Sequence, residues 1–266
     1  MSSEVKKNDL SSRDLEDLTL AKKQLTRMSL AARISSLIGT PIEAFMTNLP
    51  DKVSNKIMEA STLALTKAAD AAVFTMKDKS TQKSSDILHK LSVAVSGGVG
   101  GTFGLAALAV ELPISTTLMI RSIADIARSE GENISDIGTK LACMEVFALG
   151  GPTAGDDGTE SGYFAVRAAL NSSINAAAKF VAEHGLKGSS APIIVKFISS
   201  IAERFSIVIT EKAAAQAIPV VGAVGGAVVN TLFISHFQDI ARGHFVVRRL
   251  ERKYGKKIIE QAFDEV

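Results

Sequence analysis

Apolar residues recur at intervals of three and four along nearly the whole chain, the spacing that gives a helix one buried face. No stretch alternates long enough to support a sheet, and no repeat has a clear period. Ser11 and Ser12 can cap a helix over roughly 13–38, with Leu15, Leu18, Leu25 and Met28 as its apolar stripe. Gly39 and Pro41 end it, a short helix follows around 42–48, and Pro50 precedes an Ala-rich helix of about 51–76. Residues 77–86 (KDKSTQKSSD) form a polar linker and the best internal boundary, dividing an N-terminal helical region, 1–85, from a helical domain, 86–266.

Leu91–Val110 is uncharged, and Pro113 is expected to interrupt the chain before a helix of about 115–130. A turn at ENISD leads to a helix of about 136–149. Gly150–Gly162 (GGPTAGDDGTESG) is a long acidic loop of the kind that often carries function or recruits a partner. Helices follow at about 163–184 and, opened by Pro192, to about 217. After Pro219 the pattern predicts an apolar helix of about 220–242, then a basic one beyond Gly243.

The two apolar segments are rich in glycine. Ser96, Gly100 and Gly104 are spaced by four, as are Gly97 and Gly101, and Gly222 and Gly226. Residues four apart share a helix face, so these stripes let two backbones approach closely, as in a glycine zipper. The expected fold is an all-α, multi-helix bundle with the two Gly-rich helices packed at its centre. Membrane insertion is the competing reading, since each segment is long enough for ~30 Å of hydrocarbon. Gln216, Pro219 and Asn230 weigh against it in the second segment. Lys77, Lys79, Lys83 and Lys90 before the first segment and Arg121 after it fit a re-entrant hairpin with cationic feet.

Composition narrows the class. Of 266 residues, 46% are hydrophobic and 22% charged, which excludes wholesale disorder. The mean hydropathy of +0.21 is high for a soluble domain and keeps membrane contact in view. Net charge is +2, so no nucleic-acid partner is expected. Arg242, Arg248, Arg249, Arg252, Lys253, Lys256 and Lys257 nevertheless form a basic tail opposed only by Glu251. It reads as a solvated helix face or as a contact for anionic lipid, RNA or an acidic partner. A single cysteine, Cys143, rules out an intrachain disulfide and suits a reducing compartment. The start, MSSEVKKNDL, lacks the apolar core of a secretory signal, so the expected location is the cytoplasm, peripheral or re-entrant at the inner membrane.

Ionisable groups in apolar settings are the chemical candidates. Glu111 sits in LAALAVELPI, and Glu145 is the one charge in LACMEVFAL. A buried carboxylate must be paired, protonated or metal-bound, so each is either half of a structural ion pair or a functional acid. Arg121, Asp125 and Arg128 line one helix face and offer arginines for such pairs. His236 and His244 share a side of the last apolar stretch, unless Gly243 breaks it, with Asp239 beside His236 and Asn230 upstream. A catalytic role, if present, falls to Glu111, Glu145, His236 and Asp239, as a metal- or carboxylate-dependent hydrolase. Arg121, Asp125, Arg128, Asn230 and His244 form the supporting polar set. No HExxH, Glu-x-x-His pair, P-loop, dinucleotide fingerprint or GxSxG elbow is present, so no cofactor is required and the metal is unspecified. Cys143 lies in an apolar helix, which disfavours an activated thiolate.

Four passages together resemble the EcsC family of bacterial proteins: ELPISTTLMIRSIADIARSEGE (111–132), LACMEVFALGG (141–151), SGYFAVRAAL (161–170) and EKAAAQAIPVVGAVGGAVVNTLFISHFQDIARGHFVVRRLERKYG (211–255). The resemblance implies that these segments build one helical body. The family takes its name from a gene beside an ABC-type exporter, which implies an accessory or scaffolding role near the membrane, with lipid or a membrane protein as partner. It carries no agreed activity, and so no catalytic residues. Oligomeric state is not set by the sequence.

Overall fold

The computed structural model describes residues 10–39, 41–42, 46, 49–75, 104–151, 161–184, 191–217 and 222–266. Among them it is helical throughout, with turns and no strand. The described helices are α1 (Ser12–Leu25), α2 (Leu30–Ile38), α3 (Asp51–Thr75), α4 (Gly104–Ser129), α5 (Ile137–Leu149), α6 (Ser161–His184), α7 (Pro192–Ala217), α8 (Gly222–Tyr254) and α9 (Lys256–Glu265). The all-α bundle is therefore what the periodicity implied. Most of the short 42–48 helix, the 77–86 linker, most of the first Gly-rich segment, most of the acidic loop and Pro219 lie outside the described residues.

Three boundaries differ from the sequence reading, each for a local reason. The helix expected over 13–38 is two, because Ser29 caps α2 by accepting from the Ala32 N–H at 3.1 Å. Serine competes with the helix when internal and stabilises it when terminal. Met28 thereby falls in the turn and is exposed rather than part of an apolar stripe. Pro113 lies inside α4 rather than before it. The lost backbone bond is offset by the packing of Leu112, Met119, Ile120 and Ile123, all buried. Gly243 likewise does not break the last helix; α8 runs through it for 33 residues, about 50 Å at 1.5 Å per residue. The break comes at Gly255, whose φ of +95° favours glycine, and α9 folds back from there.

α1 lies close against Gly243. A Cβ placed there would lie 2.9 Å from the Ala21 carbonyl oxygen and 2.7 Å from Leu25 Cγ. The helix-weakening tendency of glycine is exchanged here for backbone contact between helices.

The most enclosed described helix is α5. Every residue from Thr139 to Leu149 is buried, and α4, α6, α7 and α8 pack around it, with α3 touching it too. A helix apolar on all sides belongs in an interior. Phe147 of α5, Phe205 of α7 and Phe237 of α8 meet with ring centroids 5.1–5.6 Å apart, and Phe233 joins Phe237 at 5.2 Å. Gly150 ends α5 against the ring of Phe237, where a side chain would collide. No described helix is long and apolar enough to cross a membrane.

Candidate functional site

Glu145 lies on α5, whose surroundings are otherwise apolar, and it is 4% exposed. The neighbouring helices bring two groups to it. His244 of α8, fully buried, places Nε2 at 3.7 Å from Glu145 Oε2. Tyr163 of α6 places its hydroxyl at 3.0 Å from His244 Nδ1. Burial pushes the Tyr163 phenol well above its ordinary value, so it keeps its proton and donates it to Nδ1. The ring proton then sits on Nε2, aimed at Glu145 but beyond hydrogen-bond length, and Nε2 has no other partner.

The electrostatics of this trio follow from desolvation. Burial pushes the Glu145 carboxyl up to about 7, against the pull of Arg167 and Arg248. Burial also holds His244 well below its ordinary range, and the same two arginines add to the effect. A neutral imidazole therefore faces an acid that changes charge near neutrality.

Two ion pairs wall the trio. Arg167, one turn after Tyr163, grips Glu251 with Nη1–Oε1 at 2.7 Å and Nη2–Oε2 at 2.9 Å, and its guanidinium lies 5.3 Å from the Tyr163 ring. Arg248 holds Glu132 through Nε at 2.8 Å and Nη2 at 3.3 Å, and Arg252 and Thr139 also bond that carboxylate. Burial alone would raise Glu132, but these hydrogen bonds and charges leave it lowered. The arrangement can hold a proton on Glu145 next to a neutral imidazole that is fixed in orientation by the phenol.

The other candidates sit elsewhere. Glu111 bonds Lys212 of α7 at 2.7 Å, not an arginine of its own helix. Lys212 is 1% exposed, lies 4.7 Å from the Phe233 ring, and is lowered by burial despite Glu111. His236 donates from Nε2 to the Gly150 carbonyl at 2.7 Å, capping α5, and burial pushes it down to about 4. Asp239 is ringed by Arg27, Arg33 and Arg242. Of the four catalytic candidates, only His236 and Asp239 share a neighbourhood. Asp125 pairs with Arg128 at 2.6 Å, Arg121 is half-buried, and Asn230 is buried with Oδ1 unbonded. Among the described residues no three His, Cys, Asp or Glu side chains gather to hold a metal ion. Burial pushes the Cys143 thiol up to about 12.

The basic tail also reads differently in three dimensions. Arg248 and Arg252 meet Glu132, Arg249 meets Asp17 and Glu130, and Lys253 meets Asp14. Its charge is thus balanced by acids of α1 and of the turn after α4, while Lys256 and Lys257 remain exposed.

Sequence reasoning found Glu145 and His244 but missed Tyr163, Arg167, Glu132 and Lys212. Tyr163 and Arg167 are four apart in a helix of mixed polarity, and only that spacing hinted at a shared face.

Comparison with known proteins adds one relation. No curated protein matches the chain, and no solved structure does. The family model described as the EcsC protein family matches residues 12–250, from the first turn of α1 to the last turns of α8, and so includes the Tyr163–His244–Glu145 trio. The match spans most of the chain, and the protein belongs to the EcsC family.

Proposed function

We propose that this protein is a non-catalytic accessory or scaffolding component that works at the cytoplasmic face of a membrane. The observation that carries the reading is the exposure of Val110 at 68% and Ile114 at 52%, one turn apart on α4. The uncharged run 91–110 leads into Val110 along the sequence. Branched aliphatic side chains exposed on successive turns are what a lipid surface or a membrane protein covers. The partner expected from the family is an ABC-type exporter or its surrounding lipid. Balanced charge over Arg248–Lys253 of α8 makes apolar contact, not the basic tail, the main attachment. The buried trio, sealed inside the bundle, then serves the fold rather than a substrate.

Cell fractionation tests this. Wild-type protein should sediment with membranes at low salt, resist a high-salt wash and be released by carbonate. Val110→Ser with Ile114→Ser should shift it to the soluble fraction. Wild-type protein found wholly in the soluble fraction at low salt would defeat the proposal.

A further inference from the structure

From Arg248 to Lys253 the cations of α8 are matched in number by the carboxylates of Asp14, Asp17, Glu130 and Glu132. The cluster around Asp239 does not follow that rule. Arg27, from the turn between α1 and α2, and Arg33 of α2 approach it from one side, and Arg242 approaches along α8. Three guanidinium groups thus share one carboxylate, an excess of two positive charges.

Two bonding details set the cluster apart. Asp239 Oδ2 is taken by Arg27 and Oδ1 by Arg242, the latter at 3.1 Å. Arg33 Nη1 remains 3.9 Å from Oδ2, and it is buried with no hydrogen-bond acceptor. A buried cationic donor without an acceptor is unfavourable and calls for an anion. The charges acting on Arg33 tell the same story: burial lowers it most, and the repulsion of Arg27 comes before the attraction of Asp239. His236, one turn away on α8, is occupied by Gly150 and held neutral, so it neither supplies nor cancels charge.

Exposure is graded in a useful way. The side chains of Arg27 and Arg242 are 43% and 49% exposed, whereas that of Arg33 is 18% exposed. Two arginines form a rim open to solvent and the third an inner wall. Planar guanidinium forks converging from the α1–α2 turn, α2 and α8 suit the tetrahedral oxygens of phosphate better than a point cation would.

We infer that Arg27, Arg33 and Arg242 form a binding site for a phosphoryl group, a monoester dianion matching the local excess of two charges. The group is carried either on a phospholipid headgroup or on a small soluble ester. Asp239 holds the arginines in place and limits their affinity. This site does not depend on the apolar attachment proposed above.

The purified full chain is titrated calorimetrically with inorganic phosphate at constant ionic strength. It is then mixed with phosphatidylcholine vesicles, with and without phosphatidic acid. Saturable phosphate binding is expected. Arg33→Gln should weaken it at least ~10-fold, the effect of losing one charge-assisted hydrogen bond. Arg242→Gln, at the exposed rim where folding is least at risk, should weaken it in the same sense. Asp239→Asn should tighten it, an outcome that arginines serving only to pair with Asp239 would not give. Binding to phosphatidic acid vesicles as well points to a lipid headgroup; binding to free phosphate alone points to a soluble ester. Saturation by neither probe, or an unchanged dissociation constant in Arg242→Gln, would overturn the inference.

Discussion

His244 Nε2 faces Glu145 Oε2 across 3.7 Å in the interior of the bundle, with no other partner for the imidazole nitrogen. Neither group is charged without strain there, and their proton affinities move in opposite directions. The carboxyl rises to about 7 and the imidazole falls.

The opposition has a signed consequence for stability. Glu145 binds its proton more tightly when folded, so its contribution is complete below its ordinary 4.5 and is lost as pH rises through about 7. His236 and His244 are held low, so their contribution is present above the ordinary 6.5 and is lost as pH falls, for His236 through about 4. Between 4.5 and 6.5 the histidines favour higher pH and Glu145 partly cancels them. Glu145→Gln removes the cancelling group. Its stability should therefore climb more steeply over this range, gaining about 3 kcal/mol on wild type between pH 4.5 and 7. Urea unfolding across that range checks it, and parallel curves for the two proteins would contradict it.

Arg167 and Glu251 should behave as a single unit. Their side chains are 15% and 8% exposed, so removing one leaves the other charge buried. Arg167→Met should cost about 3–5 kcal/mol, and Arg167→Met with Glu251→Leu markedly less. A double-mutant cycle in denaturant measures the coupling, and additive losses would refute it.

Lys212 and Glu111 should be asymmetric instead. The Glu111 side chain is 26% exposed while that of Lys212 is 1% exposed. Lys212→Met leaves a carboxylate that water can reach and fills the contact with Phe233, so the change should stay within about 1 kcal/mol of wild type. Glu111→Gln leaves the buried ammonium uncompensated and should be the more destabilising. Equal losses from both, in thermal or urea unfolding, would show that Glu111 is as dependent on its partner as Lys212 is.

Gly243→Ala should destabilise by about 1–3 kcal/mol although alanine is the better helix former. The added methyl meets the Ala21 carbonyl oxygen, which belongs to a backbone and cannot swing aside. Gly138 provides the control, since a methyl added there would have nothing within 4 Å, and Gly138→Ala should be neutral or stabilising. Matching urea midpoints for the two variants would remove the argument for close α1–α8 contact.

What the sequence could disclose was whatever a few neighbouring residues decide. The ends of α3, α6 and α7 lie within two residues of those expected, because apolar spacing, Pro192 and the polar flanks act locally. Glu145 stood out for the same reason, as a lone charge in an apolar helix. Its partner did not. Whether His236 or His244 faces Glu145 depends on the rotation of α8 about its axis, which six packed helices fix together. Lys212 was hidden in an Ala-rich run, and nothing local marks it as the cation that meets Glu111 on α4. Gly243 was misread because a glycine that breaks a helix and one that admits a neighbour look alike until the neighbour is in place.

The clasp between α1 and the end of α8 spans most of the polypeptide. Tyr254 bonds Asp14 at 2.7 Å and Ser11 N at 3.3 Å, positions 240 and 243 residues apart, and Lys22 reaches the Val266 carbonyl at 2.7 Å. α1 thus finds its partner only after α8 has followed it out of the ribosome. Such distant pairing raises contact order and slows closure of the bundle. During synthesis α1 must wait with its buried face uncovered until α8 closes over it.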